Sequence, residues 1–498
     1  MRIVFTFLLL LSLAATAQNH YWAQQFGANG TLTGGAVVAS CRDNTAMYYN
    51  PGLMGFIDNP KISVSANIYE LNMVNLKNVA GTGLNARSTR ILFYPEFLGG
   101  SFVFKKVPKL KIYYGTFIRN RTSVRYNLSH EMRYDVIQGA PGDELYKARL
   151  EYDLNAIETW FGLGFGYRIN DVVSVGGSVF GTYLNLENRT TIETNADALQ
   201  IDTSKITPYV AASNELTNLR IDHIGMAFKL GIGINLNKVK VGLAVTLPSA
   251  SIWGRGSLYR NIEAYNLNIY ATDTHAIFRY PSFLISDEQS NLKALYKTVP
   301  SFAVGATYSN KDLKFDFSAE YFLGVPAYDV VRGTDEAVVR PADAYGGTPV
   351  KNFLVVRTSS KPVANVAIGF TYRIKNKFKI LTGFHTDFNN KMNFLPVASG
   401  LNSLEPSYWH LMHFSLGTSY NRGSNDISLG VTYAFGIAAD RSGVVNFTSP
   451  DQYLLLRGAP SEGMKTVVNN IGLVIGYTYY FRSNMRSSER SEERIQDW

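Results

Sequence analysis

The chain has few residues whose type and spacing could carry out catalysis or hold a metal ion. Its 498 residues contain no Gly-x-Ser-x-Gly nucleophile elbow, no His-Glu-x-x-His zinc motif and no phosphate-binding P-loop. His410 and His413 are three residues apart, which on a strand places their side chains on opposite faces. They are therefore poor partners for one metal ion. We expect no enzymatic activity, including that of a lipase, no cofactor and no metal.

Two further features suggest chemistry and have simpler interpretations. The run from Gly162 to Gly166 has glycine at every second position, like part of a dinucleotide-binding loop, but it lies inside an alternating segment with no helix after it. We interpret these glycines as small residues that face a lumen. Cys41 is the only cysteine, which excludes an intramolecular disulfide and metal sites built from paired cysteines. Much of the net charge of +9 lies beside predicted turns, so no nucleic-acid partner is predicted.

The first seventeen residues are typical of a secretory signal peptide. Arg2 supplies a positive charge, residues 3–15 are almost wholly apolar, and Ala15-Thr16-Ala17 fits the small-x-small cleavage rule. The apolar run is shorter than the roughly 20 residues that a membrane-spanning helix needs. We therefore expect cleavage before Gln18.

Strand-like alternation dominates the rest of the chain. Apolar side chains alternate with small or polar ones over 161–169, 427–436 and 471–481. This period of two predicts strands with one buried or lipid-covered face, and the low charged fraction of 17% with 42 glycines suits a barrel in lipid. The predicted lipid-facing side chains include Leu163, Phe165, Phe370, Leu429, Val431, Leu473 and Ile475.

A short tag, Gly-x-(Gly/Ser/Thr)-Tyr, separates a membrane barrel from a soluble sandwich. It recurs along the chain and ends at Tyr167, Tyr308, Tyr372, Tyr420 and Tyr479. A tyrosine at one height on strand after strand predicts an aromatic girdle at a membrane interface. A soluble β-sandwich has no reason to repeat it.

Connection lengths predict the number of strands. Six short polar connections are hairpin signals: Val107-Pro108-Lys109, Asn170-Asp171, Asn237-Lys238, Asn310-Lys311-Asp312, Asn376-Lys377 and Gly423-Ser424-Asn425. With one strand before them (62–73) and one after (471–481), they give fourteen. The predicted long loops are 75–98, 126–156, 189–219, 257–299, 325–362, 390–410 and 438–468. Short turns at one end and long loops at the other are typical of outer-membrane barrels, in which the turns are periplasmic.

The segment between Gln18 and the first strand shows no alternation and has the composition of a compact plug. Its glycines, which permit tight turns, are Gly27, Gly30, Gly34 and Gly35. Asn50-Pro51 is a turn initiator. The apolar side chains that could then face a lumen are Leu53, Met54, Phe56 and Ile57. The alternative is a periplasmic leader of irregular structure.

This segment resembles the N-terminal block of the FadL family of outer-membrane transporters for hydrophobic compounds. Family members begin with a Gly-rich stretch, an Asp-centred polar segment and an Asn-Pro-Ala motif. The matching residues here are 26–36, Asp43-Asn44 and Asn50-Pro51-Gly52, with Gly52 in place of alanine. The fourteen-strand count and the tags extend the resemblance over the whole chain.

The resemblance implies an all-β fold, a 14-stranded antiparallel transmembrane β-barrel with an N-terminal hatch inside the lumen. The expected division is a signal peptide at 1–17, the hatch at 18–60, the barrel at 61–481 and a polar periplasmic tail at 482–498. Both termini would be periplasmic and the long loops extracellular. The barrel would be a monomer in contact with outer-membrane lipids and lipopolysaccharide.

The function implied by the resemblance is passive uptake of hydrophobic small molecules such as long-chain fatty acids. Capture at outer loops would be followed by rearrangement of the hatch and lateral release into the bilayer. Gly34, Gly35, Asn50, Pro51, Leu53, Met54 and Phe56 would line the ligand pathway. A kink in the third strand would open the wall, and Tyr113-Tyr114-Gly115 is the local candidate. The alternative function is a component or shuttle of a protein secretion system, since some relatives of this architecture serve one.

Overall fold

The computed structural model describes most of the chain from His20 to Phe481. The described ranges are 20–57, 61–103, 106–137, 140–200, 210–267, 282–334, 353–374, 377–390, 402–403, 409–422 and 424–481. The predicted signal peptide and the predicted tail lie outside them.

Strands make up most of the described structure. They are β1 Lys61–Lys77, β2 Ala86–Val103, β3 Leu110–Tyr134, β4 Glu144–Arg168, β5 Val173–Ala198, β6 Val210–Leu236, β7 Val239–Thr246, β8 Ala250–Tyr265, β9 Phe283–Lys293, β10 Ser301–Ser309, β11 Leu313–Phe322, β12 Val325–Arg332, β13 Val355–Ser360, β14 Val363–Ile374, β15 Phe378–Asp387, β16 Asn402–Ser403, β17 His410–Arg422, β18 Asn425–Arg441 and β19 Met464–Tyr480. The helices are short: α1 Ala28–Leu32, α2 Ala46–Tyr49 and the 3-10 turns Pro51–Phe56 and Gln452–Leu454. In these ranges no helix is long and apolar enough to cross a membrane.

Fourteen of these strands close into an antiparallel barrel, as predicted. The order around the wall is β1, β2, β3, β4, β5, β6, β7, β10, β11, β14, β15, β17, β18 and β19. The first and last strands close it, with Ile62 opposite Tyr479. The six predicted hairpins connect β2–β3, β4–β5, β6–β7, β10–β11, β14–β15 and β17–β18. Closure pairs the first strand with the last, so neither of them is left as a free sheet edge in hydrocarbon.

The outer face of the barrel carries a band of exposed apolar side chains. Among the predicted lipid-facing residues, Leu163 is 60% exposed and Val431 is 51% exposed. Phe165, Leu429 and Ile475 are also exposed, and Phe370 and Leu473 are partly exposed on the same face. The tag tyrosines also lie on the outer face, each near the turn end of its strand. Such a surface is stable in contact with lipid.

Three of the segments predicted as loops are mostly strand, so this part of the prediction was wrong: β2 occupies most of 75–98, and the other two segments are 126–156 and 189–219. In the segment 126–156, β3 continues to Tyr134 and β4 begins at Glu144. Strands β5 and β6 run through 189–219 in the same way. We call this part of the four strands the loop-end extension (residues 120–134, 144–158, 184–198 and 210–223).

The sequence pattern did not reveal the loop-end extension, because its polar and apolar faces are reversed relative to those of the apolar band. Within the apolar band the outer residues of β4 include Leu163, whereas in the extension they include Asp153 and Asn155. On the inner face, the small residues of the apolar band are replaced in the extension by a hydrophobic core. Its members from these strands include Val124, Tyr126, Leu128, Tyr146, Leu150, Tyr152, Leu154, Leu184, Leu186, Ile192, Leu219 and Ile221. The alternation persists, but water replaces lipid on the outside.

A long connection between β18 and β19 covers this core. The Tyr146 hydroxyl donates a hydrogen bond to the Leu456 carbonyl at 2.7 Å. On β6, buried Glu215 pairs with Arg260 of β8 at 2.9 Å and also with Arg457 of the connection. A carboxylate held by two guanidinium groups fixes the connection over the barrel, since losing either partner would leave a buried charge uncompensated.

Candidate ligand-transport site

The described hatch, residues 20–57, lies inside the barrel against glycines of its inner wall. A β-carbon added to Gly242 would lie 2.0 Å from the Val38 carbonyl oxygen. One added to Gly176 would lie 2.2 Å from the Pro51 carbonyl oxygen. An added β-carbon would lie less than 3.0 Å from a hatch atom at further wall glycines, which include Gly162, Gly164, Gly166, Gly231, Gly233, Gly305, Gly369, Gly383, Gly417, Gly430 and Gly476. The hatch therefore occupies the space that side chains would otherwise fill.

The tags have a second role that the sequence interpretation missed. The first glycine of every tag faces inward and contacts the hatch, while the tyrosine three residues later faces outward. The five tag glycines are Gly164, Gly305, Gly369, Gly417 and Gly476. Residues three apart on a strand point to opposite faces. One short motif thus provides both the seat of the hatch and the aromatic girdle.

Asn50 and Pro51 anchor the hatch at the wall. The buried Asn50 side chain accepts a hydrogen bond from the Gly52 backbone N–H at 2.9 Å, which caps the 3-10 turn that Pro51 begins. Its amide donates to the Val38 carbonyl at 2.8 Å and to the Ile232 carbonyl at 3.0 Å. The turn thereby joins another part of the hatch and strand β6.

Gly52 stands where the family motif has alanine, and the local packing explains this difference. A β-carbon there would lie 2.6 Å from backbone atoms of Gly231 and Ile232. Backbone of the hatch and backbone of the wall meet at this point. The glycine is therefore required by close approach.

The remaining predicted hatch residues also contact the wall. Leu53 and Met54 are buried, with Leu53 over Gly233 and Met54 over Gly164. Phe56 has the Arg168 guanidinium 5.9 Å from its ring centre.

Cationic side chains hold the end of the 3-10 turn. Arg168 donates to the carbonyls of Gly55 at 3.1 Å and of Phe56 at 3.2 Å. Buried Lys111 donates to the Ile57 carbonyl at 2.8 Å. Positive groups are favoured where carbonyls at the end of a helical turn lack partners.

Gly34 and Gly35 form a tight turn, as their type predicts. Their φ angles are 65° and 77°, in the region that favours glycine. A β-carbon on Gly34 would lie 2.9 Å from the Phe384 backbone nitrogen, and the matching wall glycine is Gly383. The turn therefore packs backbone against backbone on β15.

Aromatic side chains from the hatch and from β3, β4 and β5 form a buried cluster. The ring centres of Phe117 and Phe26 are 4.9 Å apart, and those of Trp160 and Phe180 are 5.1 Å apart. Tyr48 joins them 5.1 Å from Phe117. Burial raises the pKa of Tyr48 to about 12, so its hydroxyl stays protonated. This aromatic cluster (Phe26, Tyr48, Phe117, Trp160 and Phe180) is the apolar surface that a hydrophobic ligand could contact inside the lumen.

Two buried cations border the aromatic cluster and are paired with carboxylates. Arg119 lies 5.0 Å from the Trp160 ring centre and 3.3 Å from Glu158. Lys229 lies 4.9 Å from the Tyr48 ring centre and 3.9 Å from Glu320. These pairs keep the charge in the lumen balanced near the rings.

The wall is interrupted between β2 and β3 beside this cluster. The β2–β3 ladder runs from Val103/Lys111 to Phe97/Phe117 and then stops, although both strands continue. Beyond it each strand keeps only its other neighbour, β1 or β4. At Arg119 the β3–β4 register shifts, so β3 has a bulge where the β2–β3 ladder ends. We call this interruption, between residues 89–96 and 118–124, the wall gap.

The predicted kink at Tyr113-Tyr114-Gly115 does not interrupt the ladder, so its location needs correction. Gly115 pairs with Gly99 on β2 and with Gly162 on β4. A β-carbon at Gly115 would lie 2.9 Å from the Phe97 ring and 3.2 Å from the Met47 sulfur. The residue is small because these side chains pack against it. Tyr113 is buried and donates to the Met54 carbonyl at 3.3 Å, whereas Tyr114 faces outward.

The edges of the wall gap are apolar outside and polar inside. Ile91 and Phe93 of β2 are 72% and 67% exposed on the outer face. The Arg121 guanidinium lies 5.1 Å from the Tyr94 ring centre. The Tyr94 hydroxyl donates to Glu70 on β1. The gap ends where the Arg125 N–H donates to the Ser88 hydroxyl at 3.0 Å.

His410 and His413, which the sequence analysis considered as possible partners for one metal ion, do not contact each other. His413 stacks on His385, with ring centres 4.1 Å apart, while His410 accepts a hydrogen bond from the Asn389 N–H at 3.1 Å. Within the described ranges, no group of three or more His, Cys, Asp or Glu side chains is arranged for a metal ion.

These features define a class of protein: a transmembrane β-barrel that holds its own N-terminal segment inside and whose wall, in the described ranges, is interrupted between β2 and β3. A Pseudomonas aeruginosa FadL homologue has this fold, with a TM-score of 0.55 and 13% identity over 93% of this chain and 100% of that one. The Pseudomonas putida toluene transporter TodX is similar, with a TM-score of 0.56 and 12% identity over 92% of this chain and 99% of that one. The Ralstonia pickettii toluene transporter TbuX gives a TM-score of 0.51 and 12% identity over the same shares.

At these identities the likeness concerns the fold, and the chain has the FadL-type fold that its N-terminal block predicted. No family model and no curated protein sequence matches the chain.

Proposed function

We propose that this chain is an outer-membrane channel for passive uptake of hydrophobic small molecules, which leave the barrel sideways through the wall gap. The observation that carries the proposal is the unpaired stretch of β2 and β3 next to the aromatic cluster. An open ladder in the wall of a membrane barrel is costly unless protein covers it. Here the side chains of Tyr94 and Arg121 and the hatch lie behind it.

The proposed path follows decreasing exposure to water. A ligand captured at the loop end would contact the aromatic cluster, pass the wall gap beside Ile91 and Phe93, and enter the bilayer. Transfer of apolar surface out of water supplies the driving force. The rings of the cluster are packed against one another, so a movement of the hatch is part of the proposal.

Orientation and substrate belong to the same proposal. The short turns, the hatch entrance and both termini would be periplasmic, and the loop-end extension extracellular. The charged outer face of the extension supports this, since it suits water and not lipid. TodX and TbuX are named as toluene transporters, which makes monoaromatic hydrocarbons candidate substrates beside fatty acids.

Uptake by whole cells tests the proposal. A host producing the chain should take up labelled toluene or a labelled fatty acid faster than an empty-vector host, with no matching increase for a labelled disaccharide. Equal increases for all three would indicate a general pore, and no increase for either hydrophobic compound would contradict the proposal.

Adjacent residues of β4 offer a matched pair of variants for this assay. Trp160 lies in the aromatic cluster, whereas Phe161 is 57% exposed on the outer face. Trp160→Ala should lower uptake, because it removes a ligand-contacting ring. Phe161→Ala should leave uptake near the wild-type level.

A further inference from the structure

A cavity of about 50 Å³ with a mixed polar and apolar lining lies between the hatch and the inner wall, close to the wall gap. Its polar lining includes Gln24, Gln25, Glu70, Glu96, His385 and Asn470. That volume holds about three or four water molecules, or one small head group.

Glu96 presents an unpartnered acceptor at this cavity. Its side chain is 1% exposed, and Oε2 accepts a hydrogen bond from the Thr31 hydroxyl at 3.4 Å. Oε1 has no hydrogen-bond partner among the described residues. The Ser65 hydroxyl is close to Glu96 but also lacks a partner at bonding distance. A buried carboxylate oxygen without a donor is costly, which makes this atom a natural contact for a ligand.

Two further acceptors at the cavity lack donors. His385 is 5% exposed, and its Nε2 lies 3.1 Å from the Trp22 carbonyl oxygen. Because a carbonyl only accepts, Nε2 carries the proton, and Nδ1 of the neutral ring is then an acceptor. Neither His385 Nδ1 nor Asn470 Oδ1 has a partner in the described ranges.

The second carboxyl group of the cavity, that of Glu70, differs from Glu96 in having a close hydrogen-bond donor. The Tyr94 hydroxyl donates to Glu70, and the positive charge of Arg121 is near. Side chains at the edges of the wall gap therefore provide Glu70 with a hydrogen-bond donor and a nearby positive charge. The surplus of acceptors therefore lies with Glu96, His385 and Asn470.

We infer that this cavity binds a hydrogen-bond-donating head group, a primary ammonium or a hydroxyl, and disfavours a carboxylate. Donors would satisfy the three orphaned acceptors, whereas a carboxylate would add a third acidic group to a buried site that already holds Glu70 and Glu96. The inference rests on the proposed function and, among amphiphilic substrates, favours those with a donor head over fatty acids.

The cavity is connected to both apolar parts of the proposed path. Gln25 lines it and accepts a hydrogen bond from the Tyr49 hydroxyl at 3.0 Å, next to Phe26 of the aromatic cluster. Gln24 lines it, and its side-chain oxygen lies 2.8 Å from the Tyr94 hydroxyl oxygen at the wall gap. A head group in the cavity would leave an apolar chain beside the rings or the gap.

Binding to the purified full-length protein in lipid nanodiscs tests this inference. The probes are dodecylamine, 1-dodecanol and dodecanoate, which share a chain length and differ in the head group. The amine and the alcohol should bind roughly tenfold or more tightly than dodecanoate, after correction for partition into protein-free nanodiscs. Glu96→Gln should lower the affinity for the amine by a similar factor. The matched control Glu187→Gln alters a carboxylate on the outer face and should change nothing.

The outcomes separate the two proposals. If dodecanoate binds as tightly as the amine, or Glu96→Gln folds and leaves amine binding unchanged, the donor-head inference is wrong while uptake of hydrophobic compounds can stand. If none of the three probes binds and uptake also fails, both proposals are wrong. Should Glu96→Gln not fold, the ranking of the three probes on the wild-type protein decides the question by itself.

Discussion

The side-chain amide of Asn50 donates a hydrogen bond to the backbone carbonyl of Ile232, 3.0 Å away, and so ties the hatch to the barrel wall. The same amide reaches the Val38 carbonyl at 2.8 Å, and the side-chain oxygen caps the 3-10 turn at Gly52. One buried side chain thus connects two parts of the hatch with strand β6. The seating of the hatch depends on it.

Replacing Asn50 with alanine should loosen the hatch without unfolding the barrel. Loss of the cap costs about 1 kcal/mol, and each buried carbonyl left without a donor adds about 1–3 kcal/mol. Hydrogen exchange of the hatch backbone should accelerate while that of the barrel strands stays slow. Asn195→Ala, at an exposed position on β5, is the control and should leave both rates unchanged. Equal exchange rates in the Asn50 variant and the wild type would contradict the anchoring role.

Cys41 reports on the position of the hatch. Its side chain is buried, and burial together with the nearby Asp43 carboxylate raises the pKa of the thiol. Because the thiolate is the reactive form, alkylation at neutral pH should be far slower in the folded protein than in the unfolded chain. Raising the pH into the usual titration range of a thiol should restore little reactivity. Rapid modification of the folded protein would show that the hatch leaves the lumen readily.

Filling a wall glycine beneath the hatch should displace it. A β-carbon at Gly242 would meet the Val38 carbonyl oxygen at 2.0 Å, whereas one at Gly181 has its nearest such neighbour at 4.0 Å. Gly242→Ala should therefore increase the permeability of the barrel to small polar solutes in liposome-swelling or conductance measurements. Gly181→Ala makes the same chemical change on the outer face and should have no effect. Similar permeability for both variants would show that the hatch does not close the lumen at Gly242.

The position of the bilayer along the barrel can be tested with two variants of strand β4. Leu163→Arg places a charge in the apolar band of β4 and should lower the free energy of unfolding by about 2–4 kcal/mol if the position lies near the bilayer midplane. Asn155→Arg lies on the same face in the loop-end extension and should change it little. Equal losses at both positions, measured by denaturant titration in lipid bilayers, would place the membrane boundary elsewhere.

The sequence predicted the barrel well because lipid imposes a simple rule on it. An outer face in hydrocarbon must be apolar, so Leu163, Leu429 and Val431 stand out in the alternation. The turns were equally visible, since Asn170-Asp171 and Asn237-Lys238 have the chemistry of tight turns. The loop-end extension was missed because its outer side chains, such as Asp153, are polar and its strands lack the expected apolar face.

The candidate site was predictable only in part. Glycine and Asn-Pro motifs indicate backbone geometry, so Gly34, Asn50 and Pro51 could be assigned to a compact segment. Phe117, Trp160 and Glu96 come from three neighbouring strands, and their proximity depends on the pairing register of β2, β3 and β4 and on the bulge at Arg119. An inward-facing large aromatic such as Trp160, among glycines that otherwise face the lumen, is a signal that could have indicated the cluster. The wall gap follows from pairing between strands, which no single strand encodes.

The central claim is lateral exit through the wall gap, and a reversible cross-link across the gap tests it most directly. In a Cys41→Ser background, Tyr94→Cys and Arg121→Cys place thiols on β2 and β3 across the gap, where a short cleavable thiol linker can join them. A control pair, Ile232→Cys and Leu243→Cys, lies at paired positions of an intact ladder. We predict that linking the gap stops uptake of a labelled hydrophobic compound and that cleaving the linker restores it, while the control pair is unaffected in both states. Undiminished uptake with the gap linked would contradict the account and move the path to the barrel axis.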